Sequence, residues 1–118
     1  MQILIHARDY SVTPALRDFI KRKLGFGIGR YADRIARINV YLKDTNGPRG
    51  GVDQHCRVDI AMNLRGTFAA EATELDIYTA IKVAVDRVAR RVGTTIDRRR
   101  SFKRHGISVN VGLKDGYE

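Results

Sequence analysis

The chain is short of acid, has one cysteine and lacks a long apolar run, and each shortage closes off a class of protein. A single cysteine, Cys56, allows no internal disulfide. No run of ~18 apolar residues occurs, so no transmembrane helix is expected. Residues 1–6 lack the charged leader and apolar core of a signal peptide. These features fit a cytoplasmic protein. His6, His55 and His105 are scattered without ligand spacing, so no metal site is expected. Asp33, Asp44, Asp53, Asp59, Asp76 and Asp86 read as caps, ion-pair partners and surface charges. No nucleophile-base arrangement can be argued, and the expectation is a protein with no catalysis, no cofactor and no small-molecule substrate.

Two glycine-rich stretches invite a phosphate-loop reading. Gly25-Phe26-Gly27-Ile28-Gly29 follows a helical pattern rather than a strand, so it lacks the frame of a dinucleotide loop. Gly47-Pro48-Arg49-Gly50-Gly51 lacks the Lys-Ser/Thr ending of a P-loop. Its amides and Arg49 make a candidate phosphate contact, set against a plain hairpin loop.

What the chain has is positive charge, unevenly placed. Of 118 residues, 22 are Lys or Arg and 13 are Asp or Glu, for a net charge of +9. Between residues 87 and 104 there are eight basic residues against Asp97 alone, so +7 of that excess sits in one segment. Residues 75–100 read as one long helix. Ile77, Ile81, Ala84, Val85, Val88, Val92 and Ile96 recur at three- and four-residue steps along one face. Lys82, Arg87, Arg90, Arg91 and Arg98 fall off that stripe. A crowded cationic face repels itself in the free protein and favours a polyanion, with nucleic acid ahead of an anionic membrane.

The other elements follow from pattern. Residues 2–8 read as a strand, with Ile3, Ile5 and Ala7 on one side. Thr13-Pro14 starts a helix whose buried stripe is Leu16, Phe19, Ile20 and Leu24. That helix either ends near Gly25 or continues to about Tyr31, with glycines allowing close packing. Residues 36–44 alternate, with Ile38, Val40 and Leu42 on one side. Residues 54–64 alternate with Cys56, Val58, Ile60, Met62 and Leu64 inward. Arg65-Gly66 makes a turn, and residues 67–73 carry Phe68, Ala70 and Ala72 inward. Thr73-Glu74-Leu75-Asp76 resembles a capping box before the long helix. The order β-α-β-β-β-α predicts an α+β fold: a mostly antiparallel four-stranded sheet with two helices on one face and a polar, partly basic open face. Residues 1–104 form the domain. Residues 105–118 are a tail, either disordered or an extra strand through Ile107, Val109, Val111 and Leu113, added to its own sheet or pairing weakly with a second copy.

Thr13-Pro14-Ala15-Leu16-Arg17-Asp18-Phe19-Ile20, Tyr31-Ala32-Asp33-Arg34-Ile35, and Asp76-Ile77-Tyr78-Thr79-Ala80-Ile81 with Asp86-Arg87 and Arg90 resemble the bacterial ribosome hibernation-promoting factors. That family includes the ribosome-associated inhibitor of translation and the sigma-54 modulation proteins. Asn46-Gly47-Pro48-Arg49-Gly50-Gly51-Val52-Asp53 with Cys56-Arg57-Val58 is similar to a loop of some members. The resemblance covers residues 1–104 and implies a fold similar to double-stranded RNA-binding domains. It implies binding to the small ribosomal subunit and its rRNA, over the tRNA and mRNA sites, so that translation stops by occupancy. The family's rRNA-contacting positions carry over to Arg22 and Lys23 on the first helix and to Arg87, Arg90 and Arg91 on the second. Tyr78, Ala80 and Ile81 would pack that helix onto the sheet, and Asp76 would cap it.

Three departures stand out. Lys82 occupies a position often acidic in the family. Gly25 to Gly29 replaces a charged, leucine-rich turn. The segment after Arg104 is too short for the dimerising domain of long members, so ribosome dimerisation through it is not expected. Two readings remain beside ribosome binding: a non-ribosomal regulator that binds structured RNA or DNA, and a protein-interaction module using the tail. Regulation of a sigma factor has no direct physical support in the sequence.

Overall fold

A computed structural model describes residues 2–8, 11–44, 54–64 and 66–104, with side chains as far as residue 98. Arg49 and its loop, Arg65, the tail from His105 and the side chains of Arg99, Arg100, Lys103 and Arg104 lie outside the described residues.

Strand β1 spans Gln2–Arg8 and helix α1 spans Pro14–Ile28, followed by a 3-10 helix over Gly29–Arg34. Strands β2 (Ile35–Asp44), β3 (Gln54–Met62) and β4 (Thr67–Glu74) lead to helix α2 (Ile77–Arg104). The sheet order is β1-β2-β3-β4. β2, β3 and β4 pair antiparallel, whereas β1 pairs parallel with β2. The parallel pair follows from connectivity, because α1 carries the chain back to the start of the sheet before β2 begins. The fold is thus α+β with a mixed sheet covered on one face.

Thr13 Oγ1 accepts from the Leu16 amide at 3.1 Å, and Pro14 opens α1. The helix runs through Gly25 and Gly27 and tightens into the 3-10 turn at Gly29. Continuation past the glycines is therefore correct, and one glycine explains it. A Cβ on Gly27 would lie 3.1 Å from Val85 Cγ1 and 3.4 Å from Ala89 Cβ, whereas nothing approaches Gly25 or Gly29 within 4 Å. Gly27 is where α1 and α2 come close. Further along, a Cβ on Gly93 would lie 3.2 Å from the Tyr31 hydroxyl. The order of these contacts, with Phe19 on Tyr78 before them, sets the two helices parallel.

The core holds Leu16, Ile20, Leu24 and Ile28 from α1, the inward residues of β2, β3 and β4, and Ala80, Ile81, Ala84, Val85, Val88, Val92 and Ile96 from α2. Cys56 is fully buried, and burial pushes its thiol up to about 12, so it is a neutral core filler. In β2 the pairing shifts between Ile35 and Arg37, which inserts one extra residue. That bulge lets Ile35 and Ile38, three positions apart, both face the core.

Three expectations need correction. Leu64 is 91% exposed, because β3 ends at Met62 and Leu64 sits in the turn to β4. There Met62 N donates to Gly66 O and Gly66 takes φ 100°, a conformation suited to glycine. Thr73 does not start a capping box. It belongs to β4, where its hydroxyl lies 2.9 Å from His55 Nδ1. Asp76 caps α2 instead, its Oδ2 accepting from the Thr79 amide at 3.1 Å. Tyr78 packs edge-on against Phe19 of α1 at 4.8 Å, rather than on the sheet, and stays 38% exposed.

Candidate nucleic-acid interface

The α2 arginines sort by helical geometry. Arg87, Arg91 and Arg98 recur at four and seven residues, with Arg90 beside them, so they share one flank. The core stripe of α2 lies on β3 and β4, which turns this flank toward the free edge of β4. An edge strand exposes unpaired carbonyls, and two of these arginines reach them. Arg87 Nη1 donates to the Glu71 carbonyl at 2.8 Å, and Arg91 Nη1 donates to the Ala69 carbonyl at 2.8 Å. A carbonyl fixes the guanidinium without neutralising it, so both groups keep full charge in a set orientation. The same contacts block the β4 edge.

Between α2 and β4 lies an open groove of about 840 Å³. Arg57, Arg87, Arg90, Arg91 and Arg98 line it, against one acid, Glu71. Arg90 and Arg98 have no ion-pair partner among the described residues. Arg57 enters from the open face of the sheet, bonded through Nε to Asp59 Oδ1 at 2.8 Å and with Nη1 3.8 Å from Glu71 Oε2. The groove is therefore strongly cationic, and its arginine forks suit phosphate oxygens.

The sequence-expected residues divide. Arg87, Arg90, Arg91 and Arg98 come together here, while Lys82, Arg22 and Lys23 do not line the groove. At 100° per residue Lys82 lies roughly 150° round α2 from the groove arginines, on the flank nearer α1. Arg22 is exposed on α1. Lys23 is half-buried, with Nζ 5.6 Å from the centroid of the Phe19 ring. Arg57 was missed as a site residue. Its outward position on β3 was legible, but its approach to α2 depends on how the helix crosses β4. Among the described residues no cluster of His, Cys, Asp and Glu has the geometry to hold a metal, and no helix is long and apolar enough to cross a membrane.

The family model described as Sigma 54 modulation protein / S30EA ribosomal protein matches residues 3–100. The chain belongs to this family. A ribosome hibernation promotion factor of Bacillus subtilis (strain 168) is 30% identical over 95 residues, covering 78% of this chain and 47% of the relative. A ribosome hibernation promoting factor of Klebsiella oxytoca is 30% identical over 92 residues, covering 78% of this chain and 90% of the relative. The chain thus spans about half the length of the first and most of the second. The N-terminal domain of Thermus thermophilus Protein Y superimposes with a TM-score of 0.57 at 28% identity, covering 75% of this chain and 90% of that one. A ribosomal subunit interface protein from Coxiella burnetii shares the fold with a TM-score of 0.64 at 18% identity, covering 80% and 96%.

Proposed function

We propose that the protein is a ribosome-binding hibernation factor that stops translation by occupying the tRNA and mRNA channel of the small subunit, with its arginine groove holding rRNA phosphates. The observation that carries this reading is the groove, where five arginines face one acid and two guanidinium groups are held by β4 carbonyls. Phosphate contacts there release counterions and relieve repulsion among the arginines. Fixed side chains lose less freedom on binding than free ones. Family membership and the hibernation factors among the relatives support the ribosome as the particle. Occupancy makes and breaks no bond, so this reading calls for no cofactor or metal, and the cytoplasm is where the protein meets ribosomes.

The test is sedimentation of the protein with ribosomes and separated subunits across a range of salt. Saturable pelleting with the small subunit, weakening as salt rises, is expected for the wild type. Arg87→Glu, Arg90→Glu and Arg91→Glu together should abolish it. Arg87 and Arg91 also tether the β4 edge, so the pair Arg90→Glu and Arg98→Glu, which breaks no hydrogen bond or ion pair among the described residues, tests the groove without cutting that tether. Unchanged pelleting in both variants rules out the groove. Pelleting without saturation, with equal binding to isolated duplexes, would instead indicate a non-ribosomal RNA- or DNA-binding protein.

A further inference from the structure

The face of the sheet turned away from the helices carries a second cationic surface, built round an aromatic pair. His6 on β1 and Tyr41 on β2 are register partners, and their rings stack with centroids 4.7 Å apart and planes inclined by 16°. His6 Nε2 lies 2.9 Å from Asn39 Oδ1, which holds the imidazole in place. Tyr41 remains 40% exposed, although it sits on a central strand. The register continues this row across the sheet from Tyr41 to Arg57 and then Glu71. Arg8 and Lys43 are register partners in the adjacent row, and Arg37 stands further along β2 on the same face.

Charge on this face is not balanced. Asp59 and Glu71 are both engaged by Arg57, and Glu71 Oε1 also lies 3.2 Å from His55 Nε2. Arg8, Arg37 and Lys43 are exposed and have no ion-pair partner among the described residues. Among the described residues the acids of this face are thus used within it, while Arg8 and Lys43 in the next row and Arg37 two rows the other way flank the aromatic pair without an ion-pair partner. Arg57 belongs both to this row and to the groove lining. Strands lie about 4.8 Å apart, so Tyr41 is about 10 Å from the β4 edge. A short stretch of extended nucleic acid covers that distance.

We propose that the open face of the sheet is a stacking platform for an unpaired segment of RNA that leaves the arginine groove past Arg57 and lays a base on the Tyr41–His6 pair. This deepens the proposed function and rests on its RNA partner. The physical fit is of two kinds. Aromatic rings give a base of any identity a stacking surface, and flanking cations follow the sugar-phosphate backbone. The groove holds phosphates by charge; the platform adds an uncharged contact that only an unstacked base supplies.

The experiment titrates a short fluorescein-labelled oligoadenylate into the full chain by anisotropy, with ribosome sedimentation in parallel. Tyr41→Phe keeps the ring and should bind within about twofold of wild type. Tyr41→Leu should weaken oligoadenylate binding about five- to a hundredfold. Because the lost contact is uncharged, the dependence on salt should keep its slope, whereas Arg57→Gln should flatten it. Failure of the wild type to bind oligoadenylate saturably at low salt overturns the platform. So does a Tyr41→Leu variant that melts at a lower temperature but binds as the wild type does, since the pair is then only a cross-strand packing contact. Either result leaves the groove reading standing if wild-type protein still pellets with ribosomes and Arg90→Glu with Arg98→Glu does not.

Discussion

Gly25 and Gly27 lie two residues apart on one helix and have opposite reasons to be glycine. Gly25 is exposed with open space where a Cβ would go. Gly25→Ala should stabilise the protein by about 1 kcal/mol, the ordinary helix-propensity gain, and raise the melting temperature by roughly 4–8 °C. Gly27→Ala gains the same propensity but presses on Val85 Cγ1 at 3.1 Å. Val85 is buried and β-branched, and a helix strongly prefers one χ1 rotamer for valine, so retreat is costly. Overpacking costs about 1–3 kcal/mol, and this variant should melt below the wild type. Thermal unfolding of the two variants checks the sign of each. The sequence offered helix termination and close packing as alternatives at this stretch, because a glycine reads the same whether it ends a helix or admits a neighbour. Leu64 misled for a similar reason, since alternation carries on into a turn and does not mark the last paired residue.

At the scale of elements, α2 is placed by its cap and by its two flanks. The sequence Thr73-Glu74-Leu75-Asp76 contains two competent caps, and pairing between β3 and β4 decides between them. Thr73 is drawn into the sheet beside His55, which leaves Asp76 to receive the Thr79 amide. Asp76→Ala should therefore cost about 1 kcal/mol, while Thr73→Ala should stay within about 0.5 kcal/mol of wild type. Urea denaturation followed by helical circular dichroism distinguishes them. The α2 arginines were legible as a basic face from spacing alone. Their use of the β4 carbonyls was not, because it depends on the angle at which the helix lies over an edge strand.

For the whole molecule the question is how many charges one polyanion can engage together. The groove arginines project to one side of the domain, and Lys82 projects roughly 150° away round α2. If phosphates bind in the groove, Arg98→Gln should lower the log–log dependence of ribosome affinity on salt by about one, and Lys82→Gln should leave it unchanged. Sedimentation at a series of salt concentrations measures both slopes. An equal effect from Lys82→Gln would mean that RNA also covers the α1 side, where Arg22 and Lys23 lie.

The element order, the buried stripes and the concentration of positive charge on α2 can all be read from the amino-acid order. These are local matters, since apolar period and charge spacing are properties of a single segment. Membership in the Sigma 54 modulation protein / S30EA ribosomal protein family was legible for the same reason, through short motifs kept in order. The tertiary structure alone decided which cations share a groove. It brought Arg57 of β3 to the arginines of α2, left Lys82, Arg22 and Lys23 outside, and set Tyr41 against His6. Those neighbours belong to different elements, and only the register of the sheet and the seating of the helix bring them together.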